Sequence, residues 1–149
     1  CDPQQPEAVE RLVKLKKRDA DKGLIIIASN FEQLLPYIDT VDESIANHAR
    51  SFWPGPVTWL WPVKRSVSFS PLLTGKHQTH PVVLALCDAF QGAVISTSAN
   101  IEGSKPAKSA KEVQQYFSNQ LAKVINADVG ELSQPTSIYD VMTKAEIRN

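Results

Sequence analysis

The run Leu24-Ile25-Ile26-Ile27 constrains this chain more than any other stretch. Four consecutive apolar residues, three of them β-branched, leave no polar face to turn toward water. Such a run reads as a strand buried on both sides. A sheet covered on both sides needs helices packed against it, and the flanking sequence supplies them. Pro6 followed by Glu7 suits a first helical turn, and Val9, Leu12 and Val13 then recur at helical spacing to about Arg18. Gly23 ends that pattern. Downstream, Ser29 with Glu32 forms a capping-box pattern for a short helix.

The same alternation continues to the end. Asp42 to Phe52 sets Ile45, Ala49 and Phe52 on one helical face. Trp53-Pro54-Gly55-Pro56 is a rigid turn, and Val57 to Val63 reads as a strand that ends near Pro62. Residues 64–78 show no period and are expected to be loop. Pro81 to Phe90 is a strongly apolar helix, with Gly92 as its expected stop. Ala93-Val94-Ile95 is a second buried strand. Ser109 with Glu112 caps a helix whose inner side carries Val113, Tyr116, Phe117 and Leu121. Val124-Ile125 and Ser137 to Met142 are further strand candidates. Helices alternating with strands over short connections predict an α/β domain around a mainly parallel or mixed sheet.

Composition narrows the function classes. A length of 149 residues suits one domain. Sixteen Lys and Arg balance sixteen Asp and Glu, so no global charge draws the chain to nucleic acid. No apolar run approaches the roughly 20 residues of a membrane span, and no signal-peptide pattern is present. Cys1 and Cys87 lack metal-ligand spacing. Cys87, set among apolar residues, reads as a buried inert thiol. These features fit a cytoplasmic protein.

Three segments carry candidate chemistry. Ser96-Thr97-Ser98-Ala99-Asn100 stands where the second strand ends. Hydroxyls and an amide there suit a polar or phosphate-bearing ligand, because open α/β sheets collect ligands at strand carboxyl ends; a plain polar turn explains the same residues equally well. Between Arg11 and Lys22 lie six basic and two acidic residues. A solvated helix end with a favourable dipole explains them. So does a phosphate clamp of Lys16, Arg18 and Lys22. Thr58 opens a strand and can face a ligand, whereas Trp59 and Trp61 read as core aromatics. His77 and His80 have no third partner nearby and read as loop residues without a metal role. The chain has no GxxxxGK[ST], GxGxxG or GxSxG motif. With no obvious base or nucleophile, the pattern points to chemistry by positioning and charge neutralisation, as in phosphoryl or nucleotidyl transfer.

Taken in order, these segments resemble the YrdC/TsaC family of threonylcarbamoyl-AMP synthases. The shared elements are Lys16-x-Arg18 with Lys22, Trp53-Pro54-Gly55-Pro56-x-Thr58, Ser96 to Asn100 with Gly103 and Pro106, and Pro135-Thr136-Ser137-Ile138-x-Asp140. The resemblance implies a single YrdC-like domain over 1–149, with a twisted mixed sheet, flanking helices and a concave basic cavity. It implies a reaction in which L-threonine and bicarbonate form a carbamate whose carboxylate attacks the α-phosphorus of ATP. The products are threonylcarbamoyl-adenylate and pyrophosphate, and partner proteins then use the adenylate to modify tRNA. By the same resemblance, Lys16 and Arg18 act on the phosphates with Lys22, and Thr58, Ser96, Ser98 and Asn100 hold the adenylate or carbamate. Thr136 contacts the threonyl part. Mg²⁺ would travel with the ATP phosphates, and no protein metal ligands are assigned.

Departures from the pattern are also visible. The family's opening strand is absent before Cys1. An Arg-bearing strand is missing between a segment like Leu73-Thr74-Gly75 and one like His80-Pro81, where only residues 76–79 intervene. The expectation is that this sequence omits both pieces, whether they are lost from the protein or lie outside these residues. Glu102 replaces a frequent Ser, and Thr136-Ser137 reverses the usual order. Two other readings stay open: a non-catalytic tRNA or double-stranded RNA binding module, and a paralogue acting on another nucleotide or acyl substrate.

Overall fold

The computed structural model describes the chain except residues 21, 66, 68–72, 78–79, 130–135 and 149; for residues 73–77 and 148 only the backbone is described. Helix α1 (Pro6–Lys16) has Pro in its first turn and Lys14 and Lys16 in its last, where cations suit the helix dipole. It ends in a left-handed residue, Lys17 (φ 50°). The Lys17 N–H bonds Lys14 O and the Arg18 N–H bonds Val13 O, closing a Schellman turn. The chain then enters β1 (Ile25–Ala28), followed by a 3₁₀ turn over Glu32–Leu34 and helix α2 (Glu43–Arg50). Strands β2 (Val57–Trp61) and β3 (Leu73–His77) precede helix α3 (Pro81–Phe90) and strand β4 (Val94–Ser96). Helix α4 (Ala110–Phe117), a second 3₁₀ turn over Ser118–Gln120 and strands β5 (Ser137–Asp140) and β6 (Glu146–Arg148) complete the described elements.

The six strands form one mixed sheet in the order β4-β1-β3-β2-β5-β6. β1 pairs parallel with β3, and β2 with β5; the other three pairings are antiparallel. Cross-strand partners share a face of the sheet. Ile95, Ile26, Gly75, Trp59 and Tyr139 form one such row. Its side chains Ile95, Ile26, Trp59 and Tyr139 belong to the main core with Val9, Leu34, Ala46 and Ala49. Fully burying a side chain such as Ile26 contributes about 2–3 kcal/mol. The two neighbouring rows alternate to the opposite face. They carry Ser96, Ile25 and Leu60, then Val94, Ile27 and Thr58. Under α3, Cys87 is fully buried on this second face, its thiol directed at Ile27 O.

Ile26 and Ile27 are buried on opposite faces, so the strand expected to be covered on both sides is so. Cys87, Trp59 and Trp61 are buried as read. Several local expectations shift. Residues 73–77, including His77, are strand and not loop. The capping box at the 3₁₀ turn sits one residue later: Asn30 Oδ1 accepts from Gln33 N, and Gln33 Oε1 from Ser29 N. Helix α3 stops at a left-handed Gln91 (φ 56°), ahead of Gly92. Val124-Ile125 forms no strand, and Ile125 is exposed. Two residues offer too few ladder bonds to hold a place in a sheet whose positions other strands fill. At Gly55 a side chain would put its Cβ 2.4 Å from Phe52 O, so the turn before β2 requires glycine. No described helix is long and apolar enough to cross a membrane.

Candidate active site

β4 runs antiparallel to β1, with Ser96 opposite Ile25. The end of β4 therefore meets the beginning of β1. The basic end of α1 and the loop that feeds β1, residues 16–20 and 22, lie against the polar loop that leaves β4, residues 98–102. The expectation of a ligand at a strand's carboxyl end came from parallel sheets, and the reason here differs. An antiparallel pair places one exit loop beside one entry loop, and that brings the two candidate segments together.

Among the described residues, five hydrogen bonds lace these loops. Lys16 is buried, and its Nζ donates to Ser98 O and, at 2.6 Å, to Asn100 O. The Glu102 N–H donates to Lys16 O at 2.9 Å. Glu102 Oε2 accepts from the Asp19 N–H at 2.9 Å, and Oε1 pairs with Lys22 Nζ. Burial pushes the Lys16 ammonium below its ordinary pKa, the Arg18 charge adds to this, and Glu102 opposes it. The hydrogen bonds from Lys22 and Asp19 hold the Glu102 carboxyl below the usual carboxylate range. Two of the three Lys16 N–H donors are thus occupied by carbonyls, leaving one for another acceptor.

Arg18 is half-buried. Its guanidinium donates to Gly23 O at 2.9 Å, and its Nε–H is buried without a hydrogen-bond partner among the described residues. An unpaired buried donor is costly, so this atom marks a place where an anion gains most. In the facing loop, Ser98 Oγ donates to Asn100 Oδ1 at 2.6 Å. Asn100 Nδ2 donates to Ile101 O and Ser104 O. Asn100 therefore shapes the loop, and both of its amide N–H donors are already engaged. Gly103 supports the same bend with φ 82°.

Thr58 and Thr136 join each other, their hydroxyls 2.7 Å apart. β2 and β5 run parallel with Val57 opposite Ser137, which places Thr136 beside the start of β2. Thr58 is fully buried, so Thr136, which is half-buried, presents the accessible hydroxyl of the two. Pro135 lies outside the described residues. Thr58 and Ser96 point to the same face of the sheet and are three strands apart, about 14 Å at ordinary strand spacing. The structure thus groups Lys16, Arg18, Lys22, Ser98 and Asn100 at one end of β4, with Ser96 on the strand itself. It groups Thr58 and Thr136 further along the same face. His80 Nε2 lies 3.0 Å from Asp128 O and joins neither group.

A cleft of about 620 Å³ elsewhere is lined by Asp2, Glu32, Tyr37, Asp88 and Gln91 among others, and holds none of these residues. Most of the candidate residues gather instead at the laced loops. Sequence reasoning missed the Asp19 N–H, and it marked Glu102 as a negative charge near a phosphate site without giving it a role. The replacement of the family's frequent Ser by Glu102 was the available signal.

Residues 1–148 match the Sua5/YciO/YrdC family model, whose description is "Telomere recombination". The chain belongs to the Sua5/YciO/YrdC family. A Threonylcarbamoyl-AMP synthase of Photobacterium profundum is 43% identical, over 99% of this chain and 84% of that protein. Among solved structures, P. abyssi Sua5 complexed with L-threonine superposes with TM-score 0.83 at 26% identity, covering 94% of this chain and 43% of that chain. E. coli YciO superposes with TM-score 0.80 at 19% identity, covering 100% of this chain and 76% of that one, which shows the shared Sua5/YciO/YrdC fold.

Proposed function

We propose that this protein is a threonylcarbamoyl-AMP synthase, joining L-threonine, bicarbonate and ATP into threonylcarbamoyl-adenylate and pyrophosphate. The observation that carries the reading is the lacing of the 16–22 loop to the 98–102 loop, within a chain 43% identical to a synthase of that name. The carbamate oxygen forms a bond to the α-phosphorus while the bond to the β-phosphate oxygen breaks, and pyrophosphate leaves with its electron pair. Such a step needs positioning and neutralisation of charge more than a protein nucleophile. Arg18 offers its unpaired Nε–H, and Lys16 its third N–H, to the phosphates. Lys22 adds a cation at the mouth. Ser96 and Ser98 supply hydroxyls for the adenylate, and Asn100 holds their loop in shape. Thr136 reaches the threonyl part, with Thr58 behind it. Magnesium enters with the triphosphate as part of the substrate.

In this reading the chain is one YrdC-like domain, acts in the cytoplasm, and delivers its adenylate to tRNA-modifying partners. Pyrophosphate release should require threonine and bicarbonate together. Arg18→Ala is expected to lower that rate by about 100-fold or more, as removal of a charge-stabilising donor does. A release rate indifferent to threonine would overturn the reading.

A further inference from the structure

The two oxygens of Glu102 are each held by a different donor, a main-chain N–H and an ammonium, both from the loop 16–22. An N–H beside a cation is the donor set that receives a phosphate oxygen pair. Glu102 comes from the opposite loop, 80 positions away from Lys22. We propose that Glu102 is a built-in competitor, its carboxylate occupying the Lys22 and Asp19 donors that a pyrophosphate group takes over. The inference rests on the synthase reading and names the residue that sets how tightly that site keeps its leaving group.

Three observations support competition over a purely structural strap. The Glu102 main chain is anchored separately, through its N–H to Lys16 O. The carboxylate can therefore leave by side-chain rotation while the two loops stay joined. The side chains of Glu102 and Lys22 are 30% and 55% exposed, so there is room for the exchange. Arg18, whose charge acts on Glu102, keeps a buried N–H unpaired among the described residues. A single carboxylate leaves that donor unpaired, whereas a polyanion with more oxygens can reach it. Glu102 would then return to Lys22 as pyrophosphate departs, opposing product retention.

The test is calorimetric titration of inorganic pyrophosphate into the whole chain and its variants. Glu102→Gln removes the charge and keeps the shape. It should bind pyrophosphate roughly three- to tenfold more tightly than the unsubstituted chain, the range of one partly screened charge pair. The gain should vanish in a Lys22→Ala background. Equal or weaker binding by Glu102→Gln overturns the inference and makes the contact a strap. A second measurement covers a variant that fails to fold. In the unsubstituted chain, pyrophosphate should shift the Asp19 amide resonance and move the Glu102 carboxylate carbon to its solvent-exposed position. Binding that leaves both unmoved overturns the inference. Threonine-dependent pyrophosphate release, measured on the same unsubstituted chain, tests the synthase reading separately, so the two failures are told apart.

Discussion

Lys16 places an ammonium in a buried position and satisfies it with the carbonyls of Ser98 and Asn100. Replacing it by Met keeps the stem and leaves those two carbonyls without their donor. Lys16→Met should lower unfolding free energy by about 2–3 kcal/mol, read from urea denaturation. Because burial lowers the Lys16 pKa in the folded chain, the unfolded chain holds that proton more tightly. The sign follows: this group's contribution to stability rises as pH climbs from the folded value toward 10.5. Glu102 acts the other way. Its folded pKa is depressed, so its contribution is present above the ordinary value of 4.5 and is lost as pH falls through the folded value. Acid denaturation followed by circular dichroism should therefore show a smaller acid loss in Glu102→Gln. At Thr58 the buried hydroxyl has one partner among the described residues, Thr136. Thr58→Val should raise the KM for threonine with little change in kcat, because Thr136 loses its orienting bond.

At the scale of elements, what was legible follows from how each element gains its stability. β1 and β4 are apolar runs, and α1, α2 and α4 carry an inner stripe, with Pro opening α1 and side-chain caps opening α2 and α4, so pattern revealed them. The Ser109 cap works as read, its Oγ accepting from the Glu112 N–H at 3.3 Å. Ser109→Ala should cost about 1 kcal/mol in thermal or urea unfolding. β3 and β6 were not legible. Leu73–His77 contains Gly75 and polar residues, and its place between β1 and β2 comes from pairing on both sides. Glu146–Arg148 gains its strand from the edge of β5. In both, partners far along the chain decide the conformation, and no local period records them. Gly55 is the opposite case, a local requirement visible in the Pro-Gly-Pro turn. Gly55→Ala should destabilise by about 1–3 kcal/mol, because Phe52 O is backbone and cannot easily yield.

For the whole molecule, the sheet order decides which motifs become neighbours. The basic segment and the Ser96–Asn100 run were each ambiguous alone, and their order along the chain carried the resemblance. That they touch depends on the antiparallel β1–β4 pairing, which no spacing in the sequence announces. Asn100 holds its own loop through Ile101 O and Ser104 O, and the parallel β2–β5 pairing sets the buried Thr58 hydroxyl against Thr136. All of this hangs on the row through Ile26, which is fully buried at the centre. Ile26→Ala should cost about 2–5 kcal/mol, and chemical denaturation would show whether the loss extends to the whole fold.

The bonds that complete the site span great lengths of chain: Lys16 reaches a residue 82 positions away, and Thr58 one 78 positions away. On the ribosome, the early segment emerges long before its partners. A nascent chain holding α1, β1 and β2 has the cations and Thr58, and neither group of contacts is complete. Synthesis halted anywhere before Thr136 thus yields a fragment that lacks one group of contacts or both, and on the synthase reading the ability to hold nucleotide and amino acid together arrives only with β5.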